Sequence, residues 1–274
     1  MRTKATGQII MAAILLLTMV LSGCGADKKP ESVEAGAGAQ ETGRIAEIKK
    51  RGKLIIATGN YYPFEFRDPD NKLIGYDIDL GNKIGEKLGV PVEWVDMQFT
   101  ALIPTLQNKQ ADMVIAGMYI TDERKKVIDM SDSYLATGVS LVKRADDDSV
   151  NSMDDIEGKT VGVKAGGTSE KVANDLVAKG TKLTIKAYKD NPEYLLDLSL
   201  GRLDIGFNDY LNQLGYNKQN PDNKLVLVGE PFVHADLGIG VQKGDSELLA
   251  VANEVIKEFK DSGAAEETFN KWLK

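Results

Sequence analysis

The sequence predicts an α/β protein, because short apolar strands alternate with helical patterns along most of the chain. Residues 54–57 form an apolar run bounded by glycines, which is typical of a buried strand. Leu80, Ile84 and Leu88 then recur every fourth residue, which places them on one face of a helix. Repetition of this order predicts a largely parallel sheet covered by helices.

The other elements continue this alternation. Gly81 and Gly85 lie beside the apolar face of the first helix, where they permit close packing. Two helices with apolar faces close the chain. The patterns predict strands at residues 92–95, 112–116, 160–163, 183–185, 204–207 and 225–228, and helices at residues 102–106, 248–259 and 269–273.

The composition excludes several classes of protein. Of the 274 residues, 42% are hydrophobic and 27% are charged, as in ordinary globular proteins. A single Cys can form neither an internal disulfide nor a Cys-rich zinc site, and a single His leaves little room for a catalytic triad. The net charge of −7 argues against nucleic acid as the main partner. We therefore expect no metal and no cofactor.

The first residues have the pattern of an export signal. A positively charged start precedes an uncharged run at residues 9–21, which is shorter than the about 20 residues that a bilayer span requires. The run ends in Leu-Ser-Gly-Cys, which resembles a bacterial lipobox. That resemblance implies cleavage of residues 1–23 and a lipid on Cys24, so that the protein is anchored on the extracytoplasmic side of the cell membrane. The alternative is an ordinary signal peptide followed by a small buried Cys.

Residues 24–44 follow this signal and are rich in Ala and Gly, with no apolar period, which predicts a flexible tether. About 230 residues remain, enough for one large or two small domains. No later apolar run is long enough to span a bilayer, which argues against a sensor domain with its own transmembrane segment.

Several motifs occur in order along the rest of the chain. Each motif is weak alone, but the ordered set is specific, and it extends from about residue 45 to the C-terminus. The set resembles the bacterial extracellular solute-binding proteins, family 3, which are the polar amino-acid receptors of ABC importers. The motifs are Tyr-Pro-Phe-Glu-Phe at 62–66, Gly-Tyr-Asp-Ile-Asp-Leu at 75–80, Leu-Ile-Pro-Thr-Leu-Gln at 102–107, Ile-Thr-Asp-Glu-Arg-Lys at 120–125, Gly-Lys-Thr-Val-Gly-Val at 158–163, Arg-Leu-Asp at 202–204, and Asp209.

The resemblance implies a two-lobed, type II periplasmic-binding-protein fold with the ligand in a cleft between α/β lobes. Lobe 1 would comprise residues 45–140 and 235–274, and lobe 2 residues 141–234. Two crossing strands, near residues 137–143 and 232–237, would join the lobes. Ligand binding would then close the cleft.

The family's ligand contacts map onto three charged or polar positions. Arg124 would hold the ligand carboxylate, because a guanidinium offers it two parallel charge-assisted bonds; the alternative is a solvated Arg in a basic helix turn. Thr168, in the Gly-Gly-Thr-Ser turn, would grip the same carboxylate at a helix N-terminus, unless Thr168 or Ser169 merely caps that helix. Asp209 would accept the ligand ammonium, unless it is itself a helix N-cap.

The resemblance assigns further contacts to apolar and backbone groups. Tyr61 and Phe99 match the aromatic or apolar walls that sandwich the ligand. Ala116 and Gly117 match positions whose backbone carbonyl and amide meet the ligand.

The sequence departs from the family pattern at three places. The loop at residues 58–61 is one residue shorter than usual and lacks an acidic side chain, which weakens the case for Lys, Arg or His as ligand. Tyr119 replaces a small hydroxyl residue, and Asn208 adds a neutral donor and acceptor beside Asp209. Because Tyr61, Phe99 and Tyr119 bring aromatic rings together, a compact cation such as ectoine or a betaine is an alternative ligand.

The resemblance therefore implies a monomeric substrate-binding component of an ABC importer, which delivers a small zwitterion, most simply an amino acid, to a membrane permease. Alternatives on the same scaffold are a binder of opines and a cyclohexadienyl dehydratase acting on prephenate or arogenate. A dehydratase needs a carboxyl group as general acid in the cleft. The nearest sequence candidates are Glu193 and Asp197, and neither matches the family's acid convincingly, so we expect a receptor rather than an enzyme.

Overall fold

The computed structural model describes residues 43–222 and 225–274, so the predicted signal peptide, Cys24 and nearly all of the predicted tether lie outside it. Its helices are α1 (Arg44–Arg51), α2 (Tyr76–Leu88), α3 (Phe99–Gln107), α4 (Asp122–Val127), α5 (Thr168–Ala178), α6 (Asn191–Ser199), α7 (Tyr210–Gln219), α8 (Ser246–Asp261) and α9 (Ala264–Leu273). Its strands are β1 (Leu54–Thr58), β2 (Phe66–Arg67), β3 (Leu73–Ile74), β4 (Val92–Asp96), β5 (Met113–Val114), β6 (Ile128–Met130), β7 (Leu135–Arg144), β8 (Thr160–Lys164), β9 (Thr184–Tyr188), β10 (Ile205–Asp209), β11 (Leu225–Leu237) and β12 (Gly240–Gln242).

Two five-stranded sheets form the centre of the described chain. The first has the strand order β4-β1-β5-β12-β6, and the second has the order β11-β7-β10-β8-β9. β1 runs parallel to β4 and β5, and β8 runs parallel to β9 and β10. β12 is antiparallel to its neighbours β5 and β6, and β7 is antiparallel to β10 and β11. Each sheet therefore has four strands in one direction and one reversed strand, β12 in the first and β7 in the second, so the sheets are largely parallel as predicted, apart from these two strands.

The chain passes between the two sheets twice. β6 ends at Met130 in the first sheet and β7 begins at Leu135 in the second, whereas β11 ends at Leu237 and β12 begins at Gly240 back in the first. β7 and β11 pair with each other, with a register shift in β11. The two segments thus cross side by side, which is the two-lobed arrangement. The exact lobe boundaries stay a prediction.

The contact between β7 and β11 depends on a glycine. A Cβ on Gly138 would lie 2.3 Å from the carbonyl oxygen of Val233, so no larger residue fits while the two strands keep this spacing. The crossing segments therefore pack backbone against backbone at this point.

Helix α2 packs closely on the first sheet, as the glycine pattern predicts. Leu80 and Ile84 are fully buried. A Cβ on Gly81 would lie 2.4 Å from the ring of Trp94, and one on Gly85 would lie 2.5 Å from Val92. The helix can therefore lie directly against β4, which fixes the position of its first turn.

Two features of the described ranges differ from expectation or add to it. α1 begins at Arg44, which was predicted to belong to the tether, and its last turn packs Ile48 into the core. Within residues 43–222 and 225–274, no helix is both long enough and apolar enough to cross a membrane.

Candidate ligand-binding cleft

A cleft of about 380 Å³, counting the part open to solvent, lies where strands of both sheets end. Crevices at the carboxyl ends of parallel strands are the usual ligand sites of α/β proteins. Every predicted contact residue except Ala116 lines it, although what each one touches in a ligand stays a prediction. The lining residues are Tyr61, Phe99, Gly117, Tyr119, Arg124, Val139, Lys164, Gly167, Thr168, Ser169, Asn191, Asn208 and Asp209.

Arg124 lies in the first turn of α4, where the Thr121 hydroxyl accepts its backbone N–H and caps the helix. Its side chain is half-buried, and its guanidinium donates to the carbonyl oxygens of Tyr119, at 2.7 Å, and Gly166, at 3.4 Å. No carboxylate within the described ranges forms an ion pair with it. Burial lowers the pKa of Arg124 to about 10, so the side chain stays charged at neutral pH. Arg124 is therefore not a solvated surface residue, but a cation that faces the cleft without a counter-ion there.

The rings of Tyr61 and Phe99 both lie close to the side chain of Lys164, which was not predicted as a site residue. The ammonium of Lys164 lies 4.1 Å from the centre of the Tyr61 ring and 4.6 Å from the centre of the Phe99 ring. The guanidinium carbon of Arg124 lies 5.2 Å from the same Phe99 ring. The two aromatic walls thus hold a cation of the protein itself, which argues against their use as a cage for ectoine or a betaine.

Gly117 lines the cleft but its amide is already engaged. Its N–H donates to Asp77, in the first turn of α2, at 2.7 Å. A Cβ on Gly117 would lie 2.8 Å from the ring of Tyr61, and its φ of 54° favours glycine. Gly117 therefore lets the Tyr61 ring approach the backbone. Ala116 is fully buried in an apolar cluster and does not line the cleft.

Two buried acids lie beneath this wall. Asp77 also accepts a hydrogen bond from the Tyr134 hydroxyl at 2.9 Å, and burial raises its pKa to about 7. Glu65 is fully buried nearby, and burial raises the pKa of its carboxyl well above the ordinary range. Neither acid lines the cleft, so their effect on a ligand is indirect.

The turn between β8 and α5 brings a helix N-terminus to the cleft. Gly167 is the N-cap residue, without a side-chain capping bond, and Thr168 is the first helical residue. The alternative that Thr168 or Ser169 caps the helix is therefore wrong. Gly167, Thr168 and Ser169 all line the cleft, where the first amides of α5 provide a partial positive charge for an anion.

Asp209 ends β10 and caps α7. One carboxylate oxygen accepts the backbone N–H of Asn212 at 2.9 Å, while the other accepts the hydroxyls of Tyr119, at 2.5 Å, and Thr137, at 2.7 Å. Burial raises the pKa of Asp209, and these donors oppose that rise. The sequence alternatives are not exclusive, because the same side chain is a helix cap and a charged group lining the cleft.

Asn208 holds the backbone of Asp209 in place through a hydrogen bond. Its side-chain oxygen accepts the backbone N–H of Asp209 at 2.9 Å, and its amide group donates to Asn212 and Gln213. The side chain of Asn191 donates to the same Asn208 oxygen. The polar atoms of Asn208 are thus occupied by neighbouring side chains and backbone, which fix the end of β10 with neutral groups.

The two candidate acids for a dehydratase are elsewhere. Glu193 is exposed, and Asp197 pairs with Arg202 at 2.8 Å and accepts the hydroxyl of Tyr188 at 2.7 Å. Neither lines the cleft. Because these bonds hold the pKa of Asp197 below its usual range, it is a poor proton donor.

Lys164 and Thr137 were not predicted from the sequence to belong to the site. Lys164 stands at the carboxyl end of a buried parallel strand, immediately before the glycine turn, and the strand-end rule could have identified it. Thr137 carries no local signal, since its bond to Asp209 joins residues in two strands that pair only in the fold.

Comparison with known proteins identifies the family. The model of the bacterial extracellular solute-binding proteins, family 3, matches residues 54–274. The L-cystine-binding protein TcyJ of Escherichia coli K12 is 31% identical over 85% of this chain and 87% of its own length. Among solved structures, an ancestral arginine-binding protein bound to arginine shares 42% identity with a TM-score of 0.77, covering 82% of this chain and 99% of that one.

A third relative bears on the enzyme alternative. The ancestral amino-acid-binding protein AncCDT-1, a precursor of cyclohexadienyl dehydratase, shares 35% identity with a TM-score of 0.76, over 84% of this chain and 99% of its own. With the family model covering most of the chain and the cleft lined by the predicted residues, this chain belongs to the bacterial extracellular solute-binding proteins, family 3.

Proposed function

We propose that this protein binds the zwitterion of an amino acid in the cleft and delivers it to the permease of an ABC importer. The observation that carries this proposal is Arg124, a half-buried guanidinium that lines the cleft without an acidic partner within the described ranges. A guanidinium binds a carboxylate through two parallel bonds. Asp209 lines the cleft as a partner for an ammonium. Together they match the two charged groups that all amino acids carry.

Closure of the cleft around the ligand is supported by hydrogen bonds that join its two sides. Tyr119 donates to Asp209, Arg124 to the carbonyl of Gly166, and Asn212 to the carbonyl of Tyr62 at 2.5 Å. A ligand that binds both Arg124 and Asp209 adds contacts that exist only when the sides are close. It therefore shifts the population toward the closed form, which the permease would recognise.

A thermal-shift panel of the common amino acids, opines, ectoine, betaines and prephenate tests this proposal. A ligand at 100 times its Kd adds about 2.7 kcal/mol to the free energy of unfolding, which raises the Tm measurably. We expect a response to at least one amino acid. A panel in which no amino acid raises the Tm contradicts the proposal.

The ligand leaves the cleft unchanged in this proposal. Among the lining residues Asp209 is the one carboxyl group, and it is engaged as a helix cap and as an acceptor of two hydroxyls. A dehydratase requires a carboxyl that can donate its proton to the substrate. Conversion of prephenate or arogenate by the purified protein, followed by absorbance, would overturn this part.

The lipid anchor and the lobe boundaries complete the proposal. Cys24, at the end of the Leu-Ser-Gly-Cys segment, would carry the lipid, with residues 45–140 and 235–274 as one lobe and 141–234 as the other. We expect Cys24→Ala to move the protein from the membrane fraction to the soluble fraction of a bacterial host, with ligand affinity unchanged. A variant that stays in the membrane fraction contradicts the anchor.

A further inference from the structure

Lys164 is a cation in the cleft that the binding of a simple zwitterion does not use. Lys164 is only 6% exposed, and its ammonium lies between the rings of Tyr61 and Phe99. This ammonium has no hydrogen bond or ion pair to another side chain within residues 43–222 and 225–274, although the backbone N–H of Lys164 donates to the Ser169 hydroxyl at 3.4 Å. Burial lowers the pKa of Lys164, because a desolvated ammonium without a counter-ion is unfavourable.

The acids around Lys164 do not neutralise it. Glu65, Asp190 and Asp209 are close enough to stabilise its charge electrostatically, but none of them forms an ion pair with it. Glu65 is fully buried, which favours its neutral form, and Asp190 is partly exposed at the start of α6. Asp209 already receives donors on both carboxylate oxygens. The Lys164 ammonium is therefore available to an anion in the cleft.

The charged residues that line the cleft are Arg124, Lys164 and Asp209, so two cations face one anion. The carboxylate and ammonium of an amino acid complement Arg124 and Asp209 and leave Lys164 without a partner. Both cations approach the same Phe99 ring, at 5.2 and 4.6 Å, so one small molecule can reach both. The loop at residues 58–61 offers no acidic side chain that would attract a basic ligand.

We infer that Lys164 binds a second carboxylate, so that the ligand is an acidic amino acid, L-glutamate or L-aspartate. This inference rests on the proposed function and narrows it. The same ammonium repels a cationic side chain, so arginine, to which the ancestral relative is bound, should bind weakly here. The aromatic rings then support Lys164 rather than the ligand.

Calorimetric titration of the protein with L-glutamate, L-aspartate, L-glutamine and L-arginine tests this inference. Glutamate and glutamine have the same shape and differ in charge, so the ratio of their Kd values isolates the subsite. We expect glutamate to bind at least about tenfold more tightly than glutamine, since a charge-assisted bond is stronger than a neutral one. Lys164→Met retains an unbranched side chain between the rings but removes the charge. In that variant we expect the ratio to fall to about two or less, with glutamine affinity changed less than about threefold.

Lys186→Met is the matched control, because Lys186 is exposed on the neighbouring strand β9 and does not line the cleft. It should keep the wild-type ratio, and Lys164→Arg, which keeps the charge, should keep a preference for glutamate. Equal or tighter wild-type binding of glutamine or arginine overturns the acidic subsite while leaving the proposed function intact. An unchanged ratio in Lys164→Met also overturns it. Failure of all four amino acids, together with a silent thermal-shift panel, rejects the proposed function itself.

Discussion

The two charged residues proposed to bind the ligand, Arg124 and Asp209, differ in how many hydrogen-bond partners the protein already gives them. Arg124 donates to two backbone carbonyls, at 2.7 and 3.4 Å, and meets no carboxylate within the described ranges. Asp209 accepts three donors, from Tyr119, Thr137 and Asn212, all within 2.9 Å. A carbonyl carries only a partial charge, whereas three donors come near to saturating a carboxylate. Arg124 therefore gains more from a ligand than Asp209 does.

The strongest test of this difference is Arg124→Ala. Removing one partner of a desolvated charge pair costs about 2–5 kcal/mol, so we expect the affinity for the best amino acid of the panel to fall at least about 30-fold. The measurement is calorimetric titration. Because Arg124 lies on a short helix with its backbone cap independent of the guanidinium, the urea midpoint of the ligand-free protein should change little.

Lys125→Ala is the control for Arg124→Ala. Lys125 is the next residue of α4, is exposed and does not line the cleft, so its removal changes the net charge equally without touching the site. Its affinity should stay within about twofold of the wild type. Similar losses in both variants would mean that long-range charge, and not a bond to the ligand carboxylate, attracts the ligand.

The other anchor is tested by Asp209→Asn, for which we expect a smaller loss of about 10- to 30-fold. The substitution removes the negative charge that attracts the ligand ammonium. The loss is smaller because that ammonium is only one of several hydrogen-bond donors to Asp209. Asp245→Asn provides the match, because Asp245 caps α8 through the N–H of Leu248 and does not line the cleft. A loss in Asp209→Asn that equals or exceeds the loss in Arg124→Ala would reverse the ranking of the two anchors.

Much of this site could be predicted from sequence because its anchors lie in short motifs at the ends of apolar runs. Arg124 lies in the Ile-Thr-Asp-Glu-Arg-Lys motif and Asp209 closes the motif set, so the resemblance to the family located both positions, whereas local pattern alone left a solvated Arg and a helix cap as alternatives. The exact strand limits were less predictable: β10 continues to Asp209 itself, and β11 is far longer than the run at 225–228. Hydrogen-bond partners, rather than apolar residues, determine where these strands end.

Strand direction and side-chain partners could not be predicted in the same way. An apolar run looks alike in a parallel and an antiparallel strand, so the reversed direction of β7 and β12 left no local signal. The sequence showed that Tyr119 replaces a small residue, but not that its hydroxyl reaches an acid 90 positions away. Lys164 was hidden for the same reason, since only the fold places it between Tyr61 and Phe99.

The smallest expected effect concerns the hydrogen bond between Tyr119 and Asp209, which joins the side of the cleft that carries Arg124 to the side that carries Asp209. Tyr119→Phe removes a hydrogen bond to a charged group, which is worth about 1.5–3 kcal/mol and which the proposed opening of the cleft would break. Its loss also frees an acceptor on Asp209 for the ligand ammonium, which offsets part of the cost. We therefore expect a larger radius of gyration for the ligand-free protein in small-angle scattering, but only about a 3- to 10-fold loss of affinity.

Tyr62→Phe is the control, because Tyr62 engages the opposite side through its backbone carbonyl and not its hydroxyl. If Tyr119→Phe matches Tyr62→Phe in both measurements, the bond does not hold the cleft closed, and Asp209 is as open to the ligand as Arg124.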